Sequence, residues 1–293
     1  MRITQQMLHQ SSIRHMNQNL SRLDKIYNQV STGKLLQRPS DDPFAVSKSM
    51  NLKSAIAANE QYERNANSAA TILDSTDQTI NQTVNVLHRV RELSVKGNNE
   101  TISEHDRTVI SKEIEELTEQ LRQYANTKVT GKYLFNGQNI DQPPYPNKDS
   151  FLTSTFDKGA VTFAVSDGVS IKANITADQL FGSPDDDANL FKTMGDIVTA
   201  LQSGEQVSID QLDENMDRIL TTWAEVGATA ERLESIQNRL LDSSIELQSM
   251  LSKNEDIDMA EAVTKLKSEE SIYQASLSAT SKIILPSLMD FLR

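Results

Sequence analysis

The sequence predicts a mainly α protein: an elongated antiparallel helical bundle or coiled coil built from both chain ends, with a small inserted α+β domain containing a β-hairpin. Three observations carry this. Both flanks repeat apolar residues in alternating steps of three and four. Aromatic residues make up only 5% of the chain, which thin helical packing tolerates better than a thick globular core. Between about residues 136 and 207 the periodicity switches from helical to two-residue alternation.

The first helix is expected over about 1–32, where Ile13, Met16, Leu20, Leu23, Tyr27 and Val30 form a narrow heptad stripe suited to a coiled-coil partner. "VSTGKLLQRPSDDPFAVSKS" interrupts it. Gly33 stands where a left-handed C′ residue belongs; Ser40, Asp41 or Asp42 can N-cap the next helix, and Pro43 suits its first position. That second helix runs from about Asp42 to Lys96 with a seam of Ala69, Leu73, Thr76, Ile80, Thr83, Leu87 and Val90. Thr101-x-x-Glu104 offers a capping box for a third, marked by Ile110, Ile114, Leu117, Leu121 and Tyr124.

"NGQNIDQPPYPNKDS" reads as a linker. Val161, Phe163 and Val165 then alternate, "SDG" turns, and Val169, Ile171, Ala173 and Ile175 alternate again, which is a hairpin. "SPDDDANLFKTMGDIVTALQSG" is a short helix, acidic at its start and stopped by Gly204. A long proline-free run from about Ser208 to Lys253 would span roughly 65–70 Å if it is continuous through Gly227. The last helix, about Asp258 to Leu285, carries Met259, Val263, Leu266, Tyr273, Leu277 and Ile284. The expected domains are residues 1–40 with 255–293, a terminal coiled coil; 41–138 with 206–254, a helical rod; and 139–205, the insert.

Composition excludes several functions. With 29 Lys+Arg against 41 Asp+Glu the net charge is −12, contrary to the basic footprint that nucleic acids and anionic membranes require. No cysteine is present, so disulfides, thiolate catalysis and cysteine–zinc sites are ruled out. "MRITQQMLHQSSIRHMNQNL" contains no apolar run of signal-peptide type. The four histidines lack metal-site spacing, and Gly131-Lys132 lacks the upstream glycine of a phosphate loop. Asp185, Asp187 and Asn189 are spaced like a calcium loop, but Leu190 replaces its turn glycine, so helix capping is the better reading. Asp256 and Asp258 read likewise as the start of the last helix. No catalytic constellation, cofactor motif or metal site emerges. A helical toxin or type III needle-tip protein would need an apolar hairpin able to enter bilayers, and none is visible.

"STGKLLQRPSDDPFAVSKSM", "VLHRVRELSVKGNNETISEHDRTVISKEIEELTEQLRQYANTKVTGKYLFNG", "VGATAERLESIQNRL" and "DIDMAEAVTKLKSEESIYQASLSATSKIILPSLMDFL" together resemble the flagellin superfamily, over about 1–138 and 220–293. Within it, Lys34 to Pro39, Asp41-Asp42-Pro43-Phe44, Gly131 to Gly137 and Ser287 to Leu292 resemble the hook-associated branch at the hook–filament junction more than filament flagellin. The resemblance implies a protein exported unfolded through the flagellar type III apparatus, forming a ring between a hook-side associated protein and flagellin. Its terminal helices would pair as an inner, channel-lining coiled coil, disordered before assembly because thin helices bury too little to offset their ordering entropy. It makes Gly33, Arg38, Pro39, Ser40, Asp41, Asp42 and Pro43 the connector to the rod, where axial neighbours touch, and an export chaperone is expected on the last helix. No membrane insertion is implied. Leu87 to Lys96 also resembles the flagellin stretch sensed by an innate toll-like receptor, with Arg89, Arg91 and Leu93 matching; the plainer reading is a helix face between subunits.

Overall fold

The computed structural model describes residues 5–99, 101–147, 151, 156–184, 186 and 189–284. Along these the chain forms α1 (Gln5–Thr32), α2 (Pro43–Gly97), α3 (Glu104–Ala125), β1 (Lys128–Val129), β2 (Lys132–Tyr133), β3 (Thr162–Ser166), β4 (Val169–Lys172), α4 (Ala177–Phe181), α5 (Leu190–Ser203), α6 (Asp210–Glu255) and α7 (Met259–Ile284). It divides into two compact units. Met1–Ala58 with Ser243–Arg293 makes the first, and Asn59–Asp242 the second. The first unit thus takes in the opening turns of α2 and the closing turns of α6, beyond the terminal domain expected at 1–40 and 255–293.

The second unit holds the core. All seven expected seam residues of α2, from Ala69 to Val90, are buried. Its buried threonines satisfy their hydroxyls locally: Thr76 and Thr83 donate to the carbonyls of Ile72 and Thr79, each at 2.8 Å. α6 runs antiparallel to α2, continuous through Gly227. Asn59 Nδ2 donates to the Leu240 carbonyl at 3.0 Å, Trp223 Nε1 to Asp77 Oδ1 at 2.7 Å, and Asn98 Nδ2 to the Val207 carbonyl at 3.0 Å. α3 begins two residues after the expected box: Ser103 is the N-cap and accepts from Asp106 N–H at 3.2 Å, while Thr101 donates to Asn99 Oδ1. Both Thr101 and Ser103 stand three residues before an acid, and the backbone selects the later.

The expected hairpin forms, pairing Phe163 with Ile171 antiparallel around Gly168, with Val165 and Ile171 buried. The expected insert at 139–205 does not separate as a unit. Its aromatic rings join the second unit's core: Tyr145 lies 4.7 Å from Phe191 and Phe181 6.0 Å from Phe135, between ring centroids. Asn126 Nδ2 holds the Tyr145 carbonyl at 2.7 Å against the end of α3. Asn189 caps α5, accepting from Phe191 and Lys192 N–H, and Gly204 ends it at φ +77°. Asp185 and Asp187 lie outside the described residues.

Candidate functional site

The first unit is built from α1, the connector, the start of α2, the end of α6, and α7. α1 packs against α7. The pair is antiparallel, since Lys34 bridges to Asp256 while Arg22 Nε reaches Glu269 Oε2 at 3.4 Å twelve residues earlier on α1 and thirteen later on α7.

The seam differs from the expected stripe by one residue at several positions. On α1 the inward row is Met16, Asn19, Leu23, Ile26 and Val30; on α7 it is Ala262, Leu266, Glu269, Tyr273, Ser276 and Thr280, all buried or half-buried. Of the residues expected to form the coiled coil, Met16, Leu23, Val30, Leu266 and Tyr273 are therefore in the seam. Leu20 and Tyr27 are not: they are 47% and 62% exposed, one step past Asn19 and Ile26. Val263 and Leu277 are each 42% exposed, one step past Ala262 and Ser276. Half-buried Ile13 precedes Leu20 by one heptad. Ile284 closes α7, and its side chain lies outside the described residues.

In an antiparallel pair, positions one step C-terminal of the seam on both helices project to the same side. Ile13, Leu20, Tyr27, Val263 and Leu277 accordingly share one face. On that face Leu20, Tyr27, Val263 and Leu277 are exposed apolar groups, interspersed with the exposed polar residues Asn17, Asp24, Lys267 and Gln274. The seam beneath buries its large apolar groups only in part: among the described residues Ala262 is the only fully buried hydrophobic residue of the first unit. Conversely, all but four of the strongly exposed large hydrophobics lie in this unit, the four being Val95, Val109, Leu220 and Leu241.

The connector clasps this pair at one end. Gly33 takes φ +70° and donates its N–H to the Gln29 carbonyl at 2.9 Å, ending α1 as its sequence position requires. Leu35 N–H donates to the Glu255 carbonyl at 2.6 Å, and Ile257 N–H to the Gly33 carbonyl at 3.1 Å. Arg38-Pro39-Ser40-Asp41 is a turn closed by Asp41 N–H on the Arg38 carbonyl at 2.9 Å. Asp41 returns a carboxylate oxygen to Arg38 N–H, and Lys25 Nζ donates to the other at 2.9 Å. That bond from Lys25 is the main reason the Asp41 pKa lies below its ordinary value. Asp42 is the N-cap of α2, accepting from Phe44 and Ala45 N–H at 3.0 Å, with Pro43 following in the first turn. At the other junction Asp258 caps α7 through Ala260 and Glu261, whereas Asp256 accepts from Ser252 Oγ at 2.6 Å.

Sequence reasoning missed the centre of the clasp. Glu255, 6% exposed at its side chain, accepts from Lys34 Nζ at 2.9 Å and pairs with Lys53. Burial works to raise its pKa, but the hydrogen bonds from Lys53 and Lys34 and their charges prevail and hold it below the ordinary value. Asn254 Nδ2 adds a bond to the Ala45 carbonyl at 2.8 Å. Lys34 and Glu255 are 221 residues apart, so no local motif announces them.

The charge is partitioned. Of 41 acidic and 29 basic residues, 30 and 16 fall in Asn59–Asp242, leaving −14 on the second unit and +2 on the first. Arg89 and Arg91 are committed within the chain: Arg89 donates to Glu113 at 2.8 Å and Arg91 to Asp213 at 2.7 Å, while Leu93 is buried. Within the chain both guanidinium groups thus have acidic partners, while their side chains stay about half exposed. Among the described residues no cluster of ligating side chains suits a metal ion, and no helix is long and apolar enough to cross a membrane.

Residues 3–140 match the bacterial flagellin N-terminal helical region, and residues 209–292 the bacterial flagellin C-terminal helical region. Flagellar hook-associated protein 3 of Escherichia coli (strain K12) is 26% identical over 95% of this chain and 96% of its own. A flagellin of Halalkalibacterium halodurans is 25% identical over 90% of this chain and 88% of its own. The crystal structure of Bacillus cereus FlgL, at 26% identity, superposes with a TM-score of 0.59 over 69% of this chain and 99% of that one.

Proposed function

Because the chain belongs to the flagellin family, we propose that it is the junction protein between hook and filament of a bacterial flagellum. The observation that carries the reading is the set of large apolar residues left exposed on one side of the terminal helix pair. A unit whose buried hydrophobic residue, among the described residues, is one alanine, and which displays Leu20, Tyr27, Val263 and Leu277 together, is made to be completed by neighbouring copies. The likeness to hook-associated proteins over nearly the full chain supports the junction position over the filament itself.

In this reading copies form a ring, with a hook-associated protein on the hook side and flagellin on the other. The protein leaves the cell through the flagellar type III apparatus, and a chaperone covers the last helix on the way. The terminal pair gains its full order on assembly, since its lone seam buries little. The connector Gly33, Arg38, Pro39, Ser40, Asp41, Asp42 and Pro43 sets the direction in which that pair leaves α2. Deletion of the gene followed by electron microscopy is the test. Hooks without filaments, and flagellin lost to the medium, are expected; a Leu20→Ser/Tyr27→Ser chain should fail to restore filaments while the wild-type chain succeeds. Normal filaments after deletion would refute the reading, and pure protein polymerising alone into long filaments would favour a filament flagellin.

A further inference from the structure

Phe44 is 81% exposed, the highest value among the exposed large hydrophobics of the described residues. It stands in the first turn of α2. Lys48 follows one turn later on the same face, and Arg38 precedes it in the connector; both are exposed. The feature is an aromatic knob with Arg38 and Lys48 beside it; the neighbouring carboxylates are already engaged, Asp41 by Lys25 and Asp42 by the first N–H groups of α2.

The second unit carries a hollow of the opposite character. Between α2 and α6 a groove of about 360 Å³ is floored by Ala70, Leu73, Ala230 and Leu233 and rimmed by Asp74, Glu231 and Glu234. Two alanines facing each other across the helix pair leave the room. All three rim carboxylates are exposed.

We infer that Phe44 of one copy seats in the Ala70–Ala230 groove of a second copy, with Arg38 and Lys48 against Asp74, Glu231 and Glu234. The inference rests on the proposed assembly of the protein and names the surfaces that meet. The occupant is a second copy because the charge partition demands opposites: two units of −14 repel, whereas the +2 unit meets the −14 unit favourably. A contact between different surfaces is heterologous, so repeating it builds a ring or a helical stack.

The chain has no cysteine, which makes the test clean. A Phe44→Cys/Ala230→Cys chain, expressed in cells lacking the wild-type protein, is treated in isolated flagella with a short bismaleimide and compared with Phe44→Cys/Thr199→Cys. A ladder of covalent oligomers is expected for the first pair, about tenfold above the second. Glu231→Lys/Glu234→Lys in the cross-linking chain should lower the yield by about the same factor, and adding Arg38→Glu/Lys48→Glu should restore it. A misfolded chain would not be rescued by a second charge reversal. Equal yields for both pairs, or an adduct joining the thiol introduced by Phe44→Cys to a different protein, overturn the inference while leaving the junction role intact. Absence of the wild-type protein from isolated flagella would instead sink the junction role.

Discussion

Removing the buried carboxylate of the clasp should do less harm than removing the lysines around it. In Glu255→Gln the two lysines left behind are 46% and 51% exposed and turn to water. The expected loss is about 1 kcal/mol, or roughly fivefold. In Lys34→Met/Lys53→Met the carboxylate, only 6% exposed, keeps its burial and loses both cations. That costs roughly 3 kcal/mol, or about a hundredfold. The assay is amide hydrogen exchange at Leu35 and Ile257, whose N–H groups bond across the clasp to Glu255 and Gly33. The pH dependence separates the two variants further. In the wild type the Glu255 pKa is lowered on folding, so its contribution is fully present above the ordinary glutamate value and is lost as pH falls through the folded value. Protection should hold from neutral pH to about pH 5 and decline below about pH 4. With both lysines gone, burial alone acts and raises the pKa, so protection should instead decline as pH rises above about 4. Faster exchange in Glu255→Gln than in the double lysine variant, or the same pH slope in both, would refute this account.

Leu87→Ala, at a fully buried seam position, should destabilise the lone chain by about 2–5 kcal/mol in urea titration, whereas Leu20→Ala, at 47% exposure, should stay within about 0.5 kcal/mol yet weaken assembly. Asp42→Ala removes the cap of α2 and should cost about 1 kcal/mol, seen as faster exchange at Phe44 and Ala45. Gly137→Ala should be far more damaging than Gly33→Ala in thermal unfolding. Both have positive φ, but a Cβ at 137 would meet the Asp157 carbonyl oxygen at 2.2 Å, while the same atom at 33 meets nothing within 4 Å.

The long helices were legible because hydropathy and inward direction coincide there: each α2 position from Ala69 to Val90 chosen by spacing is a core position. In the terminal pair they part company. Counting large apolar residues selects Leu20, Tyr27, Val263 and Leu277, but the lone pair turns Asn19, Ala262 and Ser276 inward instead. Spacing cannot tell a seam closed within one chain from a row left for another. Glu255 was illegible for a different reason, since its partners are remote in sequence and a single acid beside Asp256 and Asp258 looks like one more capping residue. The two-residue displacement of the α3 cap reflects a repeated local pattern. Phe135, Tyr145, Phe181 and Phe191 explain why the middle segment shares the main core, a long-range association that alternation alone does not encode.

Asn19, turned inward on α1, accepts a hydrogen bond from Arg22, which also reaches Glu269 on the facing helix. A purely aliphatic zipper can slide by a whole heptad at little cost, since one leucine replaces another. Here a slip of seven residues would move Arg22 about 10 Å from Glu269 and leave the amide beside a different side chain. The polar members of the seam thus favour one offset of the two chain ends over its heptad-shifted neighbours.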